Sequence, residues 1–258
     1  MSDVQRCVTF LRDHAYLISD RGPSARFGTA LLRGDMPNVW SANYVLAERE
    51  LDTATAEDLV READQLLGGA GLKHRKVEVL DGEAGARLAG QFRALGWHVE
   101  RDLVMPHRRT PDREPDISGV EEIDAETLTP AWAEGMRTDF AGKEDVVQQL
   151  VAHRHALAAA GARFFAARVN GEVASYCDLY SDGRTAQIES VMTLERFRNR
   201  GLARTVVMAA LQAARTDGSD LVFLLADEAD WPKRLYEKLG FDSEADVYEF
   251  TLRAASPI

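Results

Sequence analysis

A single stretch, Thr185 to Ala214, constrains this chain more than any other. Ala186 to Thr193 has the β-branched Ile188 and Val191 of a strand and ends in a charged cluster with a glycine. Leu202, Ala203, Val206, Val207, Ala210, Leu211 and Ala214 then fall on one stripe of an amphipathic helix. Between strand and helix lies Arg198-Asn199-Arg200-Gly201-Leu202-Ala203. Such a loop suits an anion. The unpaired N–H groups of a first helical turn face it, and the helix dipole favours negative charge there. Gly201 lets the backbone approach a phosphate closely, and Arg198, Arg200 and Arg204 add cationic donors. The competing reading is a solvated basic turn whose glycine serves only packing.

The wider context favours the anion loop. Arg198-x-x-Gly201-x-Ala203 resembles the pyrophosphate loop of the GNAT superfamily of N-acyltransferases, Gln/Arg-x-x-Gly-x-Gly/Ala. The later Tyr236-x-x-x-Gly240-Phe241 is similar to a second motif of that family, in the family's order and spacing. The resemblance implies an α+β fold in which a mostly antiparallel mixed sheet is flanked by helices. It covers Ile117 to about Leu252 strongly and Val4 to Met105 weakly.

The weaker half follows from an internal repeat. Leu95-Gly96-Trp97 matches Leu239-Gly240-Phe241, 144 residues later. At that offset Ser41–Arg49 falls on the strand Thr185–Thr193. Val77–Leu80 falls on Leu221–Leu224, and the helix around Leu59 to Leu67 falls on the helix after the arginine loop. We therefore expect two GNAT-like domains: 1–108, a truncated and degenerate copy that opens directly on a helix, and 116–258, the acyl-CoA-binding copy. The proline- and charge-rich segment from Pro106 to Pro115 predicts a linker, 109–115. The copies differ at the positions that carry chemistry. Opposite Gly201 stands Glu57, opposite Arg198 Ala54, opposite Glu189 Val45 and opposite Tyr236 Phe92. A glutamate repels a pyrophosphate, so acyl-CoA is expected in the second copy alone.

In that copy the resemblance implies that the backbone of Val191, Met192 and Thr193 lies along the pantetheine and thioester. An N–H near Val191 would polarise the carbonyl. Asn199, Arg200, Gly201, Leu202, Ala203 and Arg204 would cradle the pyrophosphate. Tyr236 matches the tyrosine that protonates the leaving thiolate; otherwise it packs on its helix. Glu189 is the candidate base, on a strand face expected to include Gln187 and Val191. An anchor for a substrate ammonium is an equal reading, and some family members carry the base at the position of Gln187, which is no base here. Asp139 and Phe140 fall where the family meets its acceptor. Asp230 departs from the asparagine common in the family hereabouts. In His153-Arg154-His155, alternate positions on a helix face apart, so surface histidines are expected rather than a metal pair.

Composition sets the remaining bounds. A formal net charge of −11 argues against nucleic acid as partner and favours a neutral or cationic substrate. Cys7 and Cys177 are far apart and form no metal or redox motif, so no metal is expected. No run is long enough to span a membrane, and the opening Met-Ser-Asp-Val-Gln-Arg lacks an apolar signal core. A cytoplasmic setting is expected, with the oligomeric state open. The resulting expectation is an acetyl-CoA-dependent N-acetyltransferase acting on a small primary amine. A catalytically inactive acyl-CoA-binding or partner-docking protein is the alternative, and a protein lysine or N-terminus the alternative acceptor.

Overall fold

The computed structural model describes residues 1–252, which fall into two compact units. The first holds Leu11–Leu103, Asp227–Ala229 and, of the described residues, 245–252. The second holds Met1–Phe10, Val104–Ala226 and Asp230–Glu244. The units are therefore not the contiguous stretches 1–108 and 116–258. The chain's last strand explains part of the difference. Its residues Tyr248 to Leu252 pair antiparallel with Val79 to Arg75, and Phe250 stacks on Phe92 with ring centroids 4.0 Å apart. At the other end of the chain, Phe10 meets Phe223 edge to face in the second unit.

The elements run in order as α1 (Asp3–Ile18), β1 (Asp20–Ser24), β2 (Gly28–Leu32), β3 (Tyr44–Ala47), α2 (Ala56–Ala63), β4 (Arg75–Val79), α3 (Gly82–Ala94) and β5 (His98–Pro106). There follow β6 (Val120–Ile123), α4 (Ala125–Asp139), α5 (Glu144–Ala159), β7 (Arg163–Val169), β8 (Glu172–Ser181) and β9 (Thr185–Thr193). The chain ends with α6 (Leu202–Thr216), β10 (Leu221–Asp227), α7 (Pro232–Lys238) and β11 (Ala245–Leu252).

Each unit is a mostly antiparallel mixed sheet with helices against it. In the first, the order is β1-β2-β3-β4-β11, with the His98–Leu103 part of β5 beside β11. In the second, Val104–Pro106 is followed by β10-β9-β8-β7-β6. Both use the same sequence of connections. An antiparallel pair (β2 with β3, β8 with β9) is followed by a helical crossover to a parallel neighbour, β4 or β10. The repeated Leu-Gly-aromatic turns also match in geometry. Gly96 and Gly240 are left-handed, at φ 80° and 94°. Trp97 N–H donates to Phe92 O and Phe241 N–H to Tyr236 O, each at 3.0 Å.

Both faces of the first unit's sheet carry core: Leu59, Leu67, Val77, Leu88 and Phe92 are completely buried on one, and Leu31, Tyr44 and Leu46 pack with Ala15 of α1 on the other. In the second unit, Leu128, Trp132, Phe164, Ala166, Ala174 and Tyr176 form the core under α4.

α4 begins at Ala125, where Asp124 accepts from Thr127 N–H at 2.7 Å as its N-cap. The expected linker is a strap bound to the second unit. The N–H groups of Arg108 and Arg109 donate to Gly240 O at 2.8 and 3.1 Å, and Asp112 N–H donates to Lys238 O at 2.8 Å. A Cβ on Gly240 would lie 1.9 Å from Arg109 O, so glycine is required there twice, by its φ and by the strap. No helix among the described residues is long and apolar enough to cross a membrane.

Candidate active site

The site grows out of β9, and β9 is irregular where it matters. Its antiparallel register with β8 pairs Tyr180 with Gln187 and Asp178 with Glu189, then jumps to Tyr176 with Met192. The extra residue on β9 is a β-bulge, and Ser190 occupies it at φ 56°. A left-handed serine costs about 1–3 kcal/mol and persists only where its surroundings hold it. The bulge also overturns a side-chain expectation. Gln187 and Glu189 share a face with Tyr176, Asp178 and Tyr180. Past the extra residue that face passes to Met192, so Val191 turns to the other side.

The strands then part. Pairing of β10 with β9 runs from Leu221↔Thr185 to Leu224↔Ile188 and stops, while β9 continues to Thr193. Leu194 N–H donates to Ala174 O at 3.0 Å, which turns the groups of Leu194 toward β8. Strand alternation therefore directs the N–H and C=O of Thr193 and Val191 to the opposite edge, where β10 has departed. Arg198 Nε donates to Thr193 O at 3.3 Å from that side.

Beyond β9, Glu195–Phe197 makes one helical turn. Asn199 stands at φ 62° and Gly201 at φ 78°. This alternation of hands turns successive N–H groups toward one concavity, an arrangement that binds anions. Gly201 is the N-cap of α6, has no side-chain capping bond, and is followed by a first turn without an acidic residue. Leu202 and Ala203 open that turn with their N–H groups toward the loop. Arg198 and Arg200 are exposed at the loop, Arg200 lying over the Phe197 ring at 5.6 Å.

Arg204 does not face the loop. It is 8% exposed, and its Nη1 donates to Asp112 Oδ1 at 2.5 Å and to Arg113 O at 3.1 Å, holding the strap. Its side chain is therefore no phosphate donor, although its N–H still belongs to the first turn.

A cavity of about 350 Å³ opens where α4 approaches the end of β9. Its lining includes Gly135, Thr138 and Asp139 on one side and Met192, Thr193 and Arg198 on the other. Gly135 sets this approach, since a Cβ there would lie 3.3 Å from the Tyr176 hydroxyl and 3.8 Å from Met192 Cε. Asp139 is thus brought to the cavity. Phe140 is not among its lining residues; it caps the end of α4, with its N–H on Met136 O at 2.8 Å.

Glu189 and Tyr236 are not among the residues that line this cavity. Burial raises the Glu189 carboxyl above its ordinary value, and the nearby Asp178 adds to this. The Ser190 N–H (3.0 Å to Oε1), the Arg154 cation and the Gln187 amide (2.8 Å to Oε2) work in the opposite sense. Gln187 therefore orients Glu189. The Tyr236 hydroxyl, on α7, is raised mainly by burial and further by the negative charge of Glu189, which marks the two as neighbours. Asp230 accepts from the Trp231 N–H at 2.7 Å, at the entry to α7.

The reading of His153-Arg154-His155 as a surface run is overturned. His153 is 7% exposed, and His155 bonds Thr129 Oγ1 at 2.9 Å beneath Trp132. Arg154 reaches inward to Asp178, a fully buried carboxylate that also accepts from the Tyr180 hydroxyl at 2.8 Å. Sequence reasoning passed over both residues. One hint was a lone arginine among the apolar positions of α5; another was an aspartate inside the apolar strand β8.

A strand with a bulge, a parting parallel neighbour, and an open helix N-terminus after a glycine loop all lie within one stretch. That stretch matches the model of the acetyltransferase (GNAT) family over residues 118–241. Residues 118–241 belong to this family. The GNAT acetyltransferases transfer an acyl group from acetyl-CoA. The whole chain is similar in fold to a conserved protein of unknown function from Staphylococcus epidermidis ATCC 12228 (TM-score 0.68, 14% identity, covering 94% of this chain and 97% of the other). It is also similar to a GCN5-related N-acetyltransferase from Kribbella flavida (0.61, 19%, 95% and 94%). A tandem GNAT protein from the clavulanic acid biosynthesis pathway shares the fold as well (0.56, 14%, 90% and 80%). A search of curated proteins finds no match.

Proposed function

We propose that this GNAT protein is an N-acetyltransferase that moves the acetyl group of acetyl-CoA directly onto a small primary amine. The observation that carries the reading is the uncapped N-terminus of α6 behind Gly201, beside the free edge of β9. The residues present fit acetyl-CoA. Asn199, Arg200, Gly201, Leu202, Ala203 and the Arg204 N–H receive the pyrophosphate, with Arg198 as a cationic donor. The edge of Val191, Met192 and Thr193 runs along the pantetheine, and the Val191 N–H is the donor to the thioester carbonyl.

Glu189 takes the proton of the incoming amine. Its raised pKa suits a base that works near neutrality while still accepting from an ammonium. Tyr236 keeps its proton at neutral pH and gives it to the departing thiolate. Thus the N–C bond forms, the C–S bond breaks, one proton leaves nitrogen for Glu189 and one reaches sulfur from Tyr236. Asp139, exposed on the cavity, meets the acceptor, and with the chain's net charge of −11 it favours a cationic amine over an acidic one.

The first unit, on this reading, is a degenerate copy that binds no acyl-CoA. The chemistry is tested by screening primary amines with acetyl-CoA and reading free CoA thiol. Release that depends on an amine and is lost in Glu189→Gln supports transfer. Tight acetyl-CoA binding with no amine-dependent release, including with lysine-containing peptides, would move the protein to the acyl-CoA-binding reading.

A further inference from the structure

Arg154 takes no part in the chemistry above, yet the site is built around it. It projects from α5 into the second unit and is 9% exposed. Its Nη1 donates both to Asp178 Oδ2, on β8, and to Ser190 Oγ, on β9, the latter at 2.8 Å. These acceptors flank the bulge. Asp178 is the register partner of Glu189, and Ser190 is the left-handed residue that donates its N–H to the Glu189 carboxylate. Trp132 lies 5.5 Å from the guanidinium and closes it off from above. One buried cation therefore holds two strands at the place where their register slips. The Ser190 hydroxyl also bonds to Asp178, so the three side chains close one cluster.

Burial of the pair is not in itself a source of stability, because desolvation offsets the attraction. What such a pair supplies is fixed geometry. The bulge sets two features of the proposed site: the direction of the Glu189 carboxylate, and the exit of the Val191 N–H toward the free edge.

We propose that Arg154 is a positioning residue for acyl transfer. Bound to Asp178 and Ser190, it holds the β9 bulge in the shape that presents Glu189 and the Val191 N–H to the acetyl thioester. This rests on the acetyltransferase reading of the same site.

The charged and titratable groups facing Glu189 are Arg154 from α5, Asp178 and Tyr180 from β8, and Tyr236 from α7. Arg154 is the only cation among these and lowers the carboxyl's pKa, whereas Asp178 raises it. The test uses the full chain. Carbon-13 carboxyl NMR, with Glu189 assigned through Glu189→Gln, follows its titration in wild type, Arg154→Met and Arg154→Lys. Calorimetry compares acetyl-CoA with CoA on the same three proteins.

In Arg154→Met the Glu189 midpoint rises. The preference for acetyl-CoA over CoA falls roughly tenfold, the scale of one lost hydrogen bond. Arg154→Lys keeps the charge without the planar guanidinium, so it returns the midpoint toward wild type but not the acetyl preference. It also reads the geometry if Arg154→Met does not fold. A folded Arg154→Met with wild-type midpoint and wild-type preference would overturn the proposal and leave Arg154 a packing residue. Absence of acetyl-CoA binding in wild type would instead overturn the reading of the site itself, and the positioning role with it.

Discussion

The N-termini of α2 and α6 occupy the same place in the two units, each leading from one parallel strand to the next, and they are finished in opposite ways. At α2, Thr55 accepts from Asp58 N–H at 3.2 Å and Asp58 accepts from Thr55 N–H at 3.2 Å, a closed capping box. The Ala56 N–H is taken by Gln91 Oε1 at 3.0 Å, and Glu57 and Asp58 put negative charge on the first turn. At α6, a left-handed glycine stands at the cap, with no capping side chain and no acid. The strands before them differ in the same sense. β3 keeps an even register with β2 and stays paired with β4 from Val45↔Val77 to its last residue, Ala47↔Val79. β9 bulges and leaves β10 behind. One unit satisfies its backbone internally; the other leaves donors for a ligand. The lesson is that one fold can finish the same helix N-terminus either closed by ordinary capping chemistry or open.

That contrast yields graded expectations. The largest concerns Glu189, whose counterpart is Val45. Glu189→Gln lowers kcat by about 10²–10⁴, the usual weight of a general base. The pH profile supplies the sign. Protonated Glu189 accepts no proton, so wild-type kcat/KM falls on acidification, with a midpoint above the ordinary carboxylate range. In the glutamine variant that limb disappears. A limb that persists in Glu189→Gln would assign the base elsewhere and leave Glu189 as an ammonium anchor.

A smaller effect is expected at Tyr236, where the first unit carries Phe92. Tyr236→Phe keeps the fold, because a phenylalanine already fills the corresponding place before Gly96. It lowers kcat by about 10- to 100-fold, with the KM for acetyl-CoA little changed. Steady-state kinetics with varied acetyl-CoA separates the two terms, and a rise in KM at unchanged kcat would make Tyr236 a binding residue. The smallest effect belongs to the closed terminus. Thr55→Ala opens the capping box and costs about 1 kcal/mol of stability, read by urea unfolding, while acetyl-CoA affinity stays as in wild type.

Much of this was legible from residues alone, because it rests on local rules. The arginine–glycine loop, the stripe from Leu202 to Ala214 and the Leu-Gly-aromatic turns are short-range patterns whose geometry the backbone must obey. What escaped depends on partners far apart in the chain. β11 joins β4 through a pairing that no local pattern records. Arg204 looks like one of a set of phosphate ligands until Asp112, from the strap, claims it. The bulge at Ser190 is invisible because serine carries no mark of a left-handed conformation, and so the face assigned to Val191 was wrong by one residue. Arg154 was hidden between two histidines that drew attention for metal spacing, although the arginine is the one that reaches Asp178.

On the proposed function, acetyl-CoA binds once per chain, at the open terminus of α6. Isothermal titration with acetyl-CoA on wild type and Gly201→Glu tests it directly. The variant places a carboxylate and a Cβ at φ 78°, which reproduces the acidic character of the closed terminus at the proposed site. One site is expected in wild type, with a loss of affinity of at least about 100-fold, or roughly 2.7 kcal/mol, in the variant. Two sites in wild type, or one site that keeps its affinity in Gly201→Glu, would contradict it.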